Sequence, residues 1–198
     1  MTTKRLNWWQ KLVITLLILA GGFVLINGEW FSKQVNWWWQ KDILRRSAAV
    51  GLPISAPNRI AITTLGISAP VVEIENTAAV AMQAGLAQGV VHYPGTAEPG
   101  QTGNAFYFGH SSDFPSKSGN YKTVFALLPN IELGDTVQVS DSTGRSFTYQ
   151  VISEQVVAPI ATEWLDQATG GRRLLTLQTS YPVGTALRRY IVQAELEK

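Results

Sequence analysis

The hydrophobic and polar positions divide the chain into two regions of different pattern. From Leu12 to Ile26 the chain carries no charged residue and only one hydroxyl, and tryptophans lie on both sides of this run. A helix over residues 8–31 would be about 34 Å long, enough to cross a hydrocarbon core of about 30 Å. Terminal tryptophan rings favour the headgroup level. The pattern therefore predicts one membrane-spanning helix, with residues 12–27 as the anchor.

The charges around this helix predict its orientation. Lys4, Arg5 and Lys11 precede the apolar run with no acidic residue among them, whereas three of the four basic residues that follow lie well down the chain. Because basic residues favour the cytoplasmic side, residues 1–11 are predicted to be cytoplasmic and the remainder extracytoplasmic. No small-residue cleavage site follows the run, which favours an uncleaved anchor over a signal peptide.

Residues 28–57 connect this helix to the rest of the chain. The stretch "EWFSKQVNWWWQKDILRR" predicts a tryptophan-rich helix along the outer membrane surface, with a partner-binding helix as the alternative. Pro53 and Pro57 disfavour helix, so "SAAVGLPISAPN" is predicted to be a linker. We place the domain boundary at Asn58 and expect a chain that begins there to fold by itself.

Residues 58–198 have short apolar runs of strand length. Strands are predicted for "RIAIT", "APVVEI", "NAFYFGH", "RLLTLQT" and "RRYIVQAEL", and a hairpin for "TVQVSDSTGRSFTYQVISEQVV" with Gly144 in its turn. Two short helices are predicted, "TAAVAMQAGLAQ" and "YKTVFALL", the second ended by Pro129. Many short strands and few helices predict a mainly β fold, a closed or nearly closed barrel.

The composition excludes several classes of function. The net charge is only +2, and no basic run is interleaved with aromatic residues in the C-terminal region, so we expect no nucleic-acid partner. The chain has no cysteine, which excludes disulfides, thiolate metal sites and cysteine catalysis in this sequence. Its two histidines do not have the ligand spacing of a zinc site. We therefore expect neither a metal nor a cofactor.

Few residues are candidates for chemistry. His110 ends the strand "NAFYFGH", where a rigid element would hold the imidazole at the solvent edge, as proton transfer requires. His92 lies in the Pro- and Gly-rich stretch "HYPGTAEPG", which is predicted to be a loop. Ser180 has no Gly-x-Ser-x-Gly elbow around it, and Arg188 and Arg189 are by themselves typical of surface charges. Spacing alone identifies no site.

Several of these segments together resemble the sortases. "HYPGTAEPG" and "GNAFYFGHSS", followed by "LLTLQTSYPVGTALRRYIVQAEL", are similar to the family's Gly-His strand end, its Thr-Leu-x-Thr-Cys strand and the arginine that opens its last strand. "RIAITTLGISAPVVEI" is similar to the first two strands. The resemblance implies an eight-stranded sortase-like barrel over residues 58–198. It also implies a single-pass cell-membrane anchor with the catalytic domain outside.

The resemblance also implies functional residues. His110 matches the catalytic histidine, Ser180 occupies the position of the nucleophile, and Thr179, before it, is assigned to substrate binding. Arg189 fits the family's arginine because it begins "RYIV"; Arg188 is the rival, and only one of two adjacent strand positions can face the site. The loop after His110 is expected to form a wall of the groove.

The implied activity is transpeptidation. Sortases cleave a Leu-Pro-x-Thr-Gly-like sorting signal in surface proteins or pilins and transfer the acyl group to a cell-wall or pilin amine. This chain has Ser180 where the family has cysteine, and a hydroxyl is far less acidic than a thiol, so it needs a general base in direct contact. We therefore predict peptide binding with negligible turnover.

Three interpretations stay open at this point. The first is a sortase whose nucleophile is replaced in this chain, and the second is a non-catalytic relative that binds sorting-signal peptides. The third is a serine hydrolase that uses Ser180 and His110, which the sequence disfavours because no acid that could orient His110 is apparent. Some pilin-polymerising sortases carry an N-terminal lid with an aspartate–aromatic motif; residues 45–58 contain nothing similar, so the resemblance implies an open groove.

Overall fold

A closed eight-stranded β-barrel forms the C-terminal region of the chain. The computed structural model describes residues 7–48, 56–113 and 119–197. The strands are β1 Arg59–Ile62, β2 Ile67–Glu73, β3 Val90–His92, β4 Gly103–Phe108, β5 Thr136–Ser140, β6 Ser146–Val157, β7 Arg173–Tyr181 and β8 Arg188–Leu196. They close in the order β1-β2-β3-β4-β7-β8-β6-β5, which confirms the predicted eight-stranded barrel.

Side chains alternate between the barrel interior and its outer surface along each strand. The inward positions of β4 and β7 belong to the main core and comprise Ala105, Tyr107, Leu175 and Leu177. Phe106 and Phe108 of β4 point outward and pack with Leu86 of the short helix α3, Ala79–Gln88. Since successive strand residues face opposite ways, Phe108 and Gln178, the last paired residues of β4 and β7, both lie on the barrel's outer surface.

The strand β3 differs from the sequence prediction, which placed His92 in a loop. The pair Val91 and His92 of β3 lies opposite Phe108 and Tyr107 of β4, and His92 is 3% exposed. The imidazole stacks on the ring of Tyr107, with centroids 4.8 Å apart. The strand has only three residues, so its apolar run was too short to separate from the Gly- and Pro-rich stretch that follows it.

The predicted helix "YKTVFALL" is wrong. The segment forms consecutive turns closed by i to i+3 hydrogen bonds, such as Val124 N to Tyr121 O and Leu128 N to Phe125 O. A 3₁₀ turn, Leu128–Asn130, follows and contains the proline expected to end the helix. All five residues from Val124 to Leu128 are buried, and a regular α-helix on a barrel surface would bury only one face.

Two helices precede the barrel. The first, α1, spans Trp8–Ile26, and the second, α2, spans Gly28–Ala48. The helix predicted over residues 8–31 therefore ends earlier, because Asn27 leaves the helical conformation and its side-chain amide donates to Phe23 O at 2.9 Å. Among the described residues, α1 alone is long and apolar enough to cross a membrane, and none of its residues is buried.

One face of α2 docks on the barrel. The indole of Trp30 donates to Ala126 O at 3.2 Å, and the indole of Trp37 donates to Thr64 O at 3.0 Å. Trp37 also packs against the main core, whereas its neighbour Trp38 is 59% exposed. The Trp-rich segment therefore has two faces, one of which forms part of the folded domain.

We expect Trp37→Ala to lower the free energy of unfolding by about 2 kcal/mol, since it removes a half-buried indole and leaves Thr64 O without its donor. For a domain of this size, the melting temperature should fall by roughly 4–8 °C. Thermal unfolding of the full chain in detergent measures this. Trp38→Ala is the matched control and should leave the melting temperature nearly unchanged; equal losses in both variants would contradict the docking.

The contacts of the His92 ring nitrogens should make the stability of the fold depend on pH. Burial lowers the pKa of His92, but the hydrogen bond to Glu73 and the charges of Glu73 and Glu98 outweigh burial, so the pKa is raised above its ordinary value. In the charged form Nδ1 donates to Glu73 at 3.0 Å and Nε2 donates to Ala97 O at 3.0 Å. The stabilisation is therefore complete below the unfolded pKa of about 6.5 and is lost as the pH rises through the folded pKa.

Unfolding of the full chain at pH 5.5 and pH 8.5 checks this expectation. Glu73→Gln removes the charge beside His92 and should reduce the excess stability at the lower pH. Glu75→Gln, which changes an exposed carboxylate two residues along the chain, should leave the pH dependence as it is. If the Glu73→Gln variant kept the pH profile of the unchanged chain, the ion pair with His92 would not be the source of the pH-dependent stability.

Candidate active site

Backbone hydrogen bonds fix His110 at the end of β4. Gly109 N donates to Gln178 O at 3.1 Å, and Phe125 N donates to His110 O at 2.9 Å. Position 109 requires glycine because a Cβ there would lie 2.8 Å from the ring of Phe125. The imidazole is mostly covered, with 18% of the side chain exposed.

Ser180 lies near the end of β7, the strand that pairs with the one leading to His110. Strands β4 and β7 pair in parallel from Gly103 and Arg173 to Phe108 and Gln178, so continuing the register by two residues brings His110 level with Ser180. Neighbouring strands lie about 4.8 Å apart, and level residues face the same side of the sheet. Both residues therefore lie on the outer surface of the barrel. That the two side chains meet at one carbonyl group stays a prediction.

Thr179 points to the opposite side of β7. It is buried, and its hydroxyl donates to Gly109 O at 2.8 Å. The hydrogen bond ties the strand that carries Ser180 to the residue before His110. The assignment of Thr179 to substrate binding stays a prediction, whereas its contact with Gly109 supports the backbone of the site.

The pairing of β7 with β8 separates the two arginines. Ser180 lies opposite Arg189, and Tyr181 lies opposite Arg188. Directly opposed residues of an antiparallel pair share a face, so Arg189 lies on the face of Ser180 and Arg188 on the other. The guanidinium Nη1 of Arg189 donates to the carbonyl oxygens of Ala186 and Arg188, at 3.2 and 3.1 Å.

An acidic residue that the sequence did not reveal lies next to His110. Oδ2 of Asp113 is 3.7 Å from Nε2 of His110, and only 11% of the Asp113 side chain is exposed. The expectation that no acid is near this histidine is therefore wrong. The aspartate lies three residues further along a polar loop, and only the conformation of that loop brings it back to the imidazole.

A pocket of about 270 Å³ opens beside Ser180. Asp113 and Ser112 line one side of it, and the β7–β8 loop, residues 182–187, lines another. The loop after His110 was predicted to form a wall of the groove; Ser112 and Asp113 do so, and residues 114–118 lie outside the described residues. The remaining wall comes from Ile26 and Asn27, far away in sequence, which no sequence pattern indicated.

A second group of titratable residues lies away from this pocket. Possible ligand atoms of Glu73, His92 and Glu98 lie within 4.8 Å of one another. Both ring nitrogens of His92 are already engaged, by Glu73 and by Ala97 O. We therefore assign His92 to the support of the β3–β4 region rather than to ion binding.

Comparison with known proteins identifies the architecture. Residues 60–197 match the family profile described as the Sortase domain. The sortase C-1 of Actinomyces oris (formerly Actinomyces naeslundii) superimposes with a TM-score of 0.59 and 28% identity, covering 75% of each chain. Comparison with curated protein sequences gave no significant match.

Two further structures share the fold at lower identity. The pilus-related sortase C of Group B Streptococcus has a TM-score of 0.59 and 23% identity, covering 73% of this chain and 68% of the other. A lid mutant of Corynebacterium diphtheriae sortase A has a TM-score of 0.59 and 23% identity, covering 79% of this chain and 78% of the other. Each supports the barrel architecture, since TM-scores at this level reflect a common fold.

Arg188 and Arg189 lie on opposite faces of β8, so replacing each by alanine should have different effects. If the pocket binds a sorting-signal peptide, as the sequence predicts, Arg189→Ala should weaken that binding at least about tenfold, because a hydrogen bond to a charged group contributes roughly 1.5–3 kcal/mol. Arg188→Ala, on the opposite face, should change the dissociation constant less than threefold. Fluorescence anisotropy with a labelled peptide and the full chain measures both, and the reverse order would transfer the role to Arg188.

Proposed function

This chain belongs to the sortase family, and on that premise we propose that it is a membrane-anchored transpeptidase-type protein that binds Leu-Pro-x-Thr-Gly-like sorting signals. The reaction of this site cleaves such a signal and transfers the acyl group to an amine of the cell wall or of a pilin. Its partners are the surface proteins or pilins that carry the signal and the amine acceptor.

One arrangement supports the proposal: Ser180 lies opposite Arg189 in the β7–β8 pair, and His110 follows β4, the parallel neighbour of β7, by two residues. A nucleophile, a proton carrier and a fixed cation at adjacent strand ends are the groups that acyl transfer requires. Arg189 would hold the carbonyl oxygen of the peptide while the nucleophile attacks its carbon. His110 would protonate the departing amine.

The residue at position 180 determines the rate. With a cysteine, the sulfur would attack as a thiolate, form a thioester and release the C-terminal fragment as an amine protonated by His110. The serine hydroxyl must lose its proton as it attacks, so we propose that this chain binds the signal and cleaves it negligibly. A relative that binds sorting signals without catalysis would have the same groove and no turnover with either residue.

A second candidate function, that of a serine hydrolase, is supported by Asp113. An acid 3.7 Å from Nε2 of His110 can stabilise the imidazolium, although the acid of a Ser–His–Asp site contacts Nδ1, so here Nδ1 would have to take the serine proton. The Ser180 oxygen would bond to the carbonyl carbon while His110 takes its proton. The C–N bond would then break, and His110 would return the proton to the leaving amine. Water would finally attack the ester carbonyl, with His110 carrying its proton to the serine oxygen as the acyl–oxygen bond breaks and the peptide leaves as a carboxylate.

The membrane anchor in this proposal is α1. An apolar helix of 19 residues rises about 28 Å, close to the thickness of a hydrocarbon core, and no residue of α1 is buried in the protein. We propose a single-pass arrangement with the N-terminus in the cytoplasm and the barrel outside, since basic residues precede the helix. The lipid membrane is then a permanent partner of the chain.

We expect Ser180→Cys to confer turnover on a site whose binding is otherwise unchanged. The groove and Arg189 are the same in both forms, so the dissociation constants for the peptide should agree within about threefold. Release of the C-terminal fragment, followed by chromatography with an added amine acceptor, should rise at least about 100-fold in the cysteine form. His110→Asn in the cysteine form should abolish the release.

Asp113→Asn separates the two candidates. If the unchanged serine form turns over peptide at a rate comparable to the cysteine form, and Asp113→Asn removes that activity with a shifted pH profile, the second candidate replaces the first. If neither form turns over any of a panel of bound sorting signals, the chain is a non-catalytic relative. Failure of every form to bind any signal would overturn the proposed function.

A further inference from the structure

The end of the apolar helix forms part of the pocket beside Ser180. Ile26, the last residue of α1, and Asn27, which joins α1 to α2, line the same cavity as Ser180 and Asp113. We propose that Ile26 and Asn27 are specificity-determining residues, which form a wall of the substrate pocket and limit the side chains that fit there. This inference rests on the proposed function and adds residues outside the Sortase domain match to the site.

Asn27 is held tightly in this position. Only 5% of the residue is exposed, its backbone N–H donates to Phe23 O at 3.0 Å, and its side-chain amide donates to the same oxygen at 2.9 Å. Its Oδ1 faces the β7–β8 loop, where a Cβ on Gly184 would lie only 2.8 Å away. Glycine is required at position 184 both by this approach and by a φ of +82°.

The same loop connects this wall to the catalytic side of the pocket. Gly184 N donates to the hydroxyl of Ser112 at 2.9 Å, and Ser112 precedes Asp113, which faces His110. Asn27, Gly184 and Ser112 therefore form a continuous row of contacts across the pocket. A change at the end of α1 acts on the pocket directly and on the position of the β7–β8 loop.

The docking of α2 fixes the wall relative to the barrel. Thr123 donates its hydroxyl to Glu29 at 2.5 Å, two residues after Asn27, and the side chains of Gln34 and Asn130 exchange two hydrogen bonds at 3.0 and 3.3 Å. These contacts begin two residues beyond the pocket. Ile26 and Asn27 are therefore held from both sides, by α1 and by the docked part of α2.

The pocket is small enough for one wall residue to decide which substrate side chains fit. A cavity of about 270 Å³ accommodates little more than one amino-acid side chain and its backbone, so a change of one wall residue alters a large share of the space. Ile26 and Ala186 are apolar, whereas Asn27 and Thr185 are polar, so the pocket suits a compact side chain with one hydrogen-bonding group. A larger residue at position 26 should exclude it.

Ile26→Trp in the full chain tests this inference. We expect it to raise the dissociation constant of the Leu-Pro-x-Thr-Gly-like peptide at least tenfold, because the indole occupies the space of the substrate side chain. Ile26→Ala should instead improve the relative affinity of peptides with larger residues beside the cleaved bond. Leu25→Trp, one residue earlier and 81% exposed, is the matched control and should bind as the unchanged chain does.

Two further variants separate the wall from the docking of α2 and from the proposed function. Gln34→Ala removes only the two hydrogen bonds with Asn130 and keeps the other docking contacts of α2, so the wall should stay in place and the rank order of the peptides should not change. Hydrogen exchange at the Gly184 amide can be measured without a substrate, and Asn27→Ala should speed it. Exchange as slow as in the unchanged chain would show that Asn27 does not hold the β7–β8 loop, and would overturn the wall formed by Ile26 and Asn27. Equal peptide affinities in Ile26→Trp and the Leu25→Trp control would overturn the specificity role alone. If the unchanged chain bound no peptide, the proposed function would be overturned and the specificity role with it, whereas the exchange at Gly184 would still test the wall itself.

Discussion

The site depends on the parallel hydrogen-bond ladder between β4 and β7. Six residue pairs, from Gly103 and Arg173 to Phe108 and Gln178, set the register of strands that lie about seventy residues apart in sequence. A shift of one residue would turn Ser180 toward the interior. It would also turn Thr179, which faces inward in the structure, toward the outer surface on the side of His110. The buried leucines of β7 oppose such a shift, because it would move the whole apolar row of the strand to the outer surface.

Much of the barrel and of its candidate active-site face could be predicted from short apolar runs and strand-end motifs. The runs that became β1, β2, β4, β7 and β8 are bounded by turn residues, and Gly144 marks the tight turn of the β5–β6 hairpin. His110, Ser180 and Arg189 are each positioned within or just beyond a regular strand, so their relation follows from register alone. Local pattern and long-range pairing agree for these residues.

The remaining features depend on contacts that no local pattern specifies. The position of Asp113 follows from the conformation of a polar loop, and the tight turns from Val124 to Leu128 follow from burial of consecutive residues. In α2, Trp30, Gln34 and Trp37 lie on one helical face, a spacing that signals a docking surface. Three adjacent tryptophans obscured that face, since Trp38 and Trp39 point away from the barrel.

The junction at Asn27 has a consequence for how this protein meets other molecules. Because the pocket of Ser180 begins where the apolar helix ends, no flexible spacer separates the site from the bilayer that α1 would cross. The site would then work at one fixed height above the lipid surface. For any substrate that is itself embedded in the bilayer, encounters would be governed by lateral diffusion, and the number of residues between its embedded segment and its reacting bond would have to match this height.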